Sequence, residues 1–372
     1  MSSSEVDHLV SENIKEHHGE IIYDANGFIK KIYRKDSQLN RKIVDSYIGM
    51  YKEDKEDSSN KEDNVQKRRE NAQTMTNAFY DIVTDFYEYG MCIIYYNLKT
   101  KRWGESFHFA RAYKGDTFEQ SIKRHEQYLA VKLGLNEKQR ALDVGCGVGG
   151  PLREIVRLSG AHVTGLNNNG YQIERCKAYA KKLGLENKSD YVKGDFTAIP
   201  RELYGKFDSA YAVEATVHSP KLEMVYGEVF RALKPGGLFA TYEWVTTPNF
   251  DENNPEHKRI IHGIEEGNSI PSLSSYKQAI DAAKHVGFEL IEHEDMAILS
   301  ECHVPWYLTL KGGFSLKGFR MTRIGRCLRI AAPGSTDVAC FLNKTADALV
   351  EGGETGIFTP MFFMLLRKPT TA

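Results

Sequence analysis

Asp143, Gly145, Gly147 and Gly149 stand in the run Asp143-Val144-Gly145-Cys146-Gly147-Val148-Gly149-Gly150, which joins an apolar segment to a turn with almost no side chains and then to a helix-compatible stretch over 152–158. Glycine has no Cβ atom, so such a turn can take positive φ and bring its N–H groups against a ligand, and the helix N-terminus beyond it favours a carboxylate or phosphate. The chemistry implied is that of a nucleotide-type cradle. Gly147 and Gly149 are expected to approach the cofactor so closely that a side chain at either would collide with it. A phosphate-binding loop would end in Gly-Lys-Ser/Thr, whereas here Gly149 is followed by Gly150 and Pro151. The dinucleotide fingerprint is met loosely, with one residue too few before the last glycine. A purely structural glycine turn is the third reading.

Two later positions fit the same cradle. The end of the second strand commonly carries an acid that holds ribose hydroxyls; here Leu166 is followed by Asn167, Asn168 and Asn169, whose amides can bond a ribose or simply build an asparagine-rich turn. After the third strand, Asp195 offers a carboxylate to an adenine amino group and Phe196 a ring to stack on it.

The elements that must hold these residues alternate. Strands are expected at 141–144, 162–166, 190–193, 207–213 and 238–244, and helices at 151–158, 171–183 and 222–233, the last stopped by Lys234-Pro235-Gly236-Gly237. This is an α/β pattern, a parallel sheet with helices on both faces and ligands outside the carboxyl ends of the strands. Helices at 72–89 and 118–133 precede it; a helix at 274–286 and strands at 288–293 and 357–366 extend it. The chain divides into a polar segment (1–70), an aromatic-rich helical segment (71–135), the core (136–246) and a C-terminal region (247–372). Within the last, Trp306, Tyr307, Leu308, Leu310, Phe314, Leu316 and Phe319 suit either a lid over an apolar ligand or ordinary core.

Composition excludes several classes. With 49 Lys and Arg against 50 Asp and Glu in 372 residues, no basic field points to nucleic acid. The six cysteines are scattered without a Cys-x-x-Cys pair, which suggests neither a zinc site nor a disulfide framework and fits a reducing, intracellular location. No segment reaches the roughly 20 apolar residues of a membrane span, and the N-terminus lacks a secretory core. Any membrane contact is therefore expected to be peripheral.

The Asp-x-Gly-x-Gly-x-Gly run resembles the first motif of S-adenosylmethionine-dependent methyltransferases. The resemblance becomes specific in Tyr87-Glu88-Tyr89-Gly90 with Trp103-Gly104-Glu105-Ser106-Phe107-His108-Phe109, in Tyr211-Ala212-Val213-Glu214-Ala215-Thr216-Val217-His218-Ser219-Pro220, and in Leu233-Lys234-Pro235-Gly236-Gly237 with Tyr242-Glu243-Trp244. It continues through Asp251-Glu252-Asn253-Asn254-Pro255-Glu256-His257 to Phe358-Thr359-Pro360-Met361. Together these are similar to the sterol 24-C-methyltransferases, from about residue 71 onward.

That resemblance implies a class I (Rossmann-like) methyltransferase fold with a sterol methyltransferase C-terminal region, S-adenosylmethionine as cofactor, and methylation of carbon 24 of a Δ24 sterol such as lanosterol or zymosterol. It further implies peripheral contact with the endoplasmic reticulum or a lipid droplet, and is compatible with a homo-oligomer. Attack by an isolated alkene on the methyl leaves a carbocation, which ring faces stabilise by about 0.5–2 kcal/mol each. Tyr87, Tyr89, Trp103, Phe107 and Phe109 suit that task, unless they are simply core aromatics. After hydride migration a base must remove a proton, and Glu88, His108, Glu214 and His218 are the acid-base candidates; Glu214 could instead orient the cofactor. A methyltransferase for another lipid or small amine, and a sterol-binding protein without catalysis, are the rival readings. Two departures from the family stand out: residues 91–102 separate motif halves that the family joins directly, and Gly170 replaces a frequent Asp. The inserted segment is expected to be dispensable for the chemistry.

Overall fold

The computed structural model describes residues 61–85, 104–311 and 335–370. Tyr87, Glu88, Tyr89 and the segment 91–102 lie outside them. In chain order come α1 (Lys61–Glu70), α2 (Ala72–Asp85), β1 (Ala112–Tyr113), α3 (Phe118–Lys132), β2 (Arg140–Val144), α4 (Gly150–Ser159), β3 (His162–Asn167), α5 (Gly170–Lys182), β4 (Ser189–Lys193) and β5 (Phe207–Val213). They are followed by α6 (Leu222–Ala232), β6 (Leu233–Thr246), α7 (Pro255–Asn268), β7 (Ser274–Ser275), α8 (Tyr276–Val286), β8 (Glu289–Asp295), β9 (His303–Val304), α9 (Ser335–Thr355) and β10 (Phe358–Arg367).

The main sheet has the order β4-β3-β2-β5-β6-β10-β8, with β7 beside β6, while β1 and β9 form a separate two-stranded ribbon. Neighbours from β4 through β6 run parallel, and β10 is antiparallel to both β6 and β8. The class I methyltransferase architecture expected above is the one observed. The order in which successive strands are laid down reverses between the parallel neighbours β2 and β5, and the crevice at their carboxyl ends receives the glycine loop from one and Glu214 from the other.

Both faces of the sheet are covered, which explains why its inner strands read as unbroken apolar runs. In β10, Phe363 and Leu365 join the cluster built with α3, α4, α7 and α9, while Phe362, Met364 and Leu366 join the one built with α6 and α8. Each such side chain contributes roughly 1.5–3 kcal/mol on burial. Helix starts follow local chemistry: Thr117 with Gln120 and Ser275 with Gln278 form capping boxes, which place the α8 start at Tyr276 and leave Ser274–Ser275 to the short β7.

The Pro-Gly-Gly stop behaves differently from expectation. Helix α6 does end there, but the segment is absorbed into β6, where the register against β5 jumps from Phe207↔Leu233 to Ser209↔Leu238. Trp306 resolves to core: it is buried and packs on Phe109 and Phe358, whereas Leu308 is exposed.

Candidate active site

The glycine loop is held by β3. Gly145 and Cys146 both donate their N–H to Leu166 O, at 2.8 and 3.1 Å, and Gly145, Gly147 and Gly149 have φ of +82°, +54° and +79°. A Cβ on Gly145 would lie 2.5 Å from the Ala215 Cβ. At Gly147 it would meet nothing within 4 Å, because the residue faces the cleft. Gly149 corrects the expectation. Its Cβ would strike Arg153 Nη1 at 2.8 Å and Cys176 Sγ at 2.9 Å, so a side chain there collides with the protein itself, and its left-handed backbone serves to start α4. Asp143 sits at the cleft floor, where burial pushes it up to about 8 against the pull of the Tyr211 hydroxyl, and its Oδ2 makes no hydrogen bond of good geometry. An open positive-φ glycine beside an orphaned buried carboxyl oxygen fits S-adenosylmethionine.

Asn167 turns inward to donate to Gln172 Oε1 at 2.8 Å, and Asn169 caps α5 by accepting from Gln172 N at 3.0 Å. Asn168 is the amide of the three most open to the cleft, which it lines with Phe196. Asp195 folds back to accept from Thr197 N and Oγ1, and lines the adjoining outer cavity instead.

The Glu105–Phe109 stretch is bolted onto this loop. Gly150 N donates to Glu105 O at 3.1 Å, and the buried Arg153 donates to Val148 O at 2.8 Å and to Glu105 Oε2 at 2.5 Å. Ser106 donates to Glu126 Oε1 at 2.6 Å, and Phe109 N to Glu214 Oε1 at 2.8 Å. Phe107 and His108 line the cleft, whereas Phe109 packs into the core against Trp244 and Trp306.

Glu214 has φ +55°, a costly backbone state of order 1–3 kcal/mol for a side chain of this size. The strain aims its carboxyl at two donors, Phe109 N and Trp244 Nε1, both at 2.8 Å. Burial pushes it up to about 7 against the pull of His108 and these hydrogen bonds. Burial also draws His108 down, but the hydrogen bond and charge of Glu126, with Glu214, prevail and raise it above 6.5. His108, His125 and Glu214 each bring a potential ligand atom within 4.8 Å of the others. His108 already bonds Phe109 O and Glu126, and Glu214 accepts from Phe109 N and Trp244 Nε1, so these two are committed to partners outside the trio while His125 Nε2 has none.

On the opposite wall His218 ends a turn, Thr216–His218, fixed from below by the buried Glu243, which accepts from Thr216 at 2.5 Å, Thr241 at 2.7 Å and Tyr226 at 2.9 Å. His218 Nδ1 lies 3.1 Å from Ser269 O and its Nε2 3.0 Å from the Tyr80 hydroxyl.

Similarity now places the chain among known proteins. The sterol methyltransferase C-terminal family matches residues 316–370, and the methyltransferase domain family matches 142–241. The chain is 41% identical, over 100% of its length and 97% of that protein, to sterol 24-C-methyltransferase ERG6 of Saccharomyces cerevisiae. It is 46% identical to sterol 24-C-methyltransferase of Candida albicans, covering 82% of this chain and 83% of that one. The chain belongs to the sterol 24-C-methyltransferase family. A further member of the comparison, cycloartenol-C-24-methyltransferase 1 of Oryza sativa, is 46% identical over 81% of this chain and 87% of its own. Among solved structures, a putative sarcosine dimethylglycine methyltransferase from Galdieria sulphuraria superposes with a TM-score of 0.60 at 23% identity, covering 76% of this chain and 98% of that one. The mycolic acid cyclopropane synthase CmaA1 gives 0.62 at 16%, covering 79% and 97%. Both show the shared fold.

Of the predicted site residues, Asp143, Gly145, Gly147, Asn167, Asn168, Phe196, His108, Glu214 and His218 line one cleft; Gly149 lies behind it and Asp195 beside it. Tyr80, Glu126, Arg153 and Trp244 join the site without being marked as site residues by the sequence. Trp244 belongs to the Tyr242-Glu243-Trp244 motif, Glu126 carries no sequence signal, and Tyr80 shares the helical spacing of core aromatics.

Proposed function

We propose that this protein transfers a methyl group from S-adenosylmethionine to carbon 24 of a Δ24 sterol side chain. Bound in the cleft, S-adenosylmethionine supplies an electrophilic methyl group. Gly145 and Gly147 shape the cradle, Asn168 faces the ribose region and Phe196 offers a ring to the adenine. Asp143 stands beneath as a buried carboxyl. The observation that carries the reading is the docking of Glu105–Phe109 on the glycine loop: the family's substrate motif and its cofactor motif meet through Gly150, Arg153 and Glu214.

On this reading Glu214 is a positioning residue. It holds Phe109 N and Trp244 together and so fixes how the motif from the neighbouring segment closes over the cofactor. Tyr87, Glu88 and Tyr89 enter the same motif and are assigned to the cation through their ring faces and carboxylate. Among the described residues no helix is long and apolar enough to cross a membrane; the sterol acceptor, a membrane lipid, is the reason for proposing peripheral contact with the endoplasmic reticulum or a lipid droplet. The test is mass spectrometry of sterols after incubation with S-adenosylmethionine and a panel of Δ24 acceptors. Side-chain products heavier by one CH2 are expected; folded, cofactor-binding protein that yields none refutes the assignment.

A further inference from the structure

Removing the proton that ends the reaction requires a group at the cleft with a lone pair free to accept it. Among the described groups lining the cleft, most are already committed. Glu105 is paired with Arg153. His108 is bonded at both ring nitrogens and drawn toward its cationic form by Glu126. Glu214 has one N–H donor on each oxygen. Asp143 sits on the floor beneath the glycine loop, where its carboxyl is already assigned to the cofactor cradle.

Tyr80 and His218 differ from all of these. Ser269 O can only accept, so the 3.1 Å contact requires the proton on His218 Nδ1 and leaves Nε2 bare. The Tyr80 hydroxyl, 3.0 Å away, therefore donates into Nε2, and its own oxygen lone pairs remain for a third group. Tyr80 lines the cleft shared with the glycine loop, and His218 also borders the outer cavity, about 590 Å³, that continues from it. The turn bearing His218 is immobilised by the triply bonded Glu243, and Ser269 is held in a left-handed conformation at the end of α7.

We propose that the proton lost from the methylated sterol cation passes through the Tyr80 hydroxyl to His218. The step rests on the sterol methyltransferase reading above. The hydrogen on carbon 24 first migrates with its electron pair to carbon 25, which carries the charge after methyl addition, so that the cation stands at carbon 24; a C–H bond of the newly added methyl then breaks, and its electron pair becomes the double bond from carbon 24 to that carbon, discharging the cation. The Tyr80 oxygen takes the proton as its own hydrogen moves to His218 Nε2, so the tyrosine ends neutral and the positive charge rests on imidazolium, with Nδ1–H still on Ser269 O. Burial lowers His218 to about 4, a weak base, but a C–H next to a carbocation is so acidic that a weak base suffices. The same weakness keeps the imidazole neutral and ready before each turnover.

The full-length protein is tested as wild type, Tyr80→Phe, His218→Gln and the double variant, with S-adenosylmethionine and a Δ24 sterol. S-adenosylhomocysteine affinity is read by calorimetry, and products by mass spectrometry. Each single variant is expected to form the side-chain methylene product about a hundredfold more slowly and to divert sterol to water-quenched alcohol and isomeric alkene. Cofactor affinity should stay within about threefold, and the double variant should be no worse than either single one. Tyr80→Phe with wild-type rate and product ratio, or losses that multiply in the double variant, overturns the relay. Should His218→Gln lose cofactor binding, the isosteric Tyr80→Phe decides alone. Wild-type protein that methylates no sterol refutes the functional reading itself, which sets that failure apart from a failure of the relay.

Discussion

Gly150→Ala is the sharpest test of the union between the glycine loop and the Glu105–Phe109 motif. A Cβ at Gly150 would lie 2.2 Å from Glu105 O and 2.3 Å from Ser106 Oγ, whereas ordinary contacts begin at 3.4 Å. Glu105 cannot yield cheaply, because Gly150 N and Arg153 bond it and the next residue is bonded to Glu126. The segment must therefore move by more than 1 Å. Overpacking of this kind costs about 1–3 kcal/mol, with about 1 kcal/mol more for the lost hydrogen bond. Gly150 does not have positive φ, so the loop itself is unstrained and S-adenosylhomocysteine binding should change only a few-fold. Methyl transfer should fall about a hundredfold, the scale set by a 1 Å misplacement of reacting groups. Calorimetry, thermal unfolding and sterol product formation are measured on one preparation. Undiminished turnover in Gly150→Ala would show that the two motifs act independently.

Gly147→Val should abolish S-adenosylhomocysteine binding in calorimetry, since the side chain enters the open cleft, and should lower thermal stability without unfolding the protein, since the backbone there is left-handed at φ +54°; retained affinity would place the cofactor elsewhere. His218 titrates near 6.5 unfolded and about 4 folded, so its neutral form stabilises the fold fully above pH 6.5, and this is lost as pH falls toward 4, by roughly 3 kcal/mol in all. Denaturation curves of wild type and His218→Gln over that range should converge; parallel curves would contradict the shift. Tyr87→Phe should keep substantial methyl transfer and Tyr87→Ala should lose it; equal losses would favour a hydroxyl role over ring stabilisation.

The fold was open to reading because its strands obey simple periodicities. The run ending in Leu366 is apolar at every step, and only a strand covered on both faces explains that. Strand ends could be missed by a few residues where a cap or a bulge decides, as with Ser275 and Lys234-Pro235-Gly236-Gly237. The cofactor residues were legible because glycine signals backbone conformation directly, though not which way the missing Cβ would point: Gly147 and Gly149 are indistinguishable in sequence and face opposite sides of the loop. Tyr80 was invisible for a different reason. Its role depends on a partner 138 positions away, and one hydroxyl is all that separates it from the core aromatics beside it.

The placement of β10 has a consequence for biosynthesis. It is made last of the sheet strands, yet it lies between β6 and β8, which leave the ribosome earlier. At about 5–20 residues per second, on the order of ten seconds pass between completion of β6 and emergence of β10. During that time β6 presents a bare apolar edge, and β8 has no neighbour in the sheet at all. A nascent chain stalled between Thr246 and Phe358 is thus a half-sheet with an open, sticky margin, which makes this interval the one in which a chaperone has most to cover.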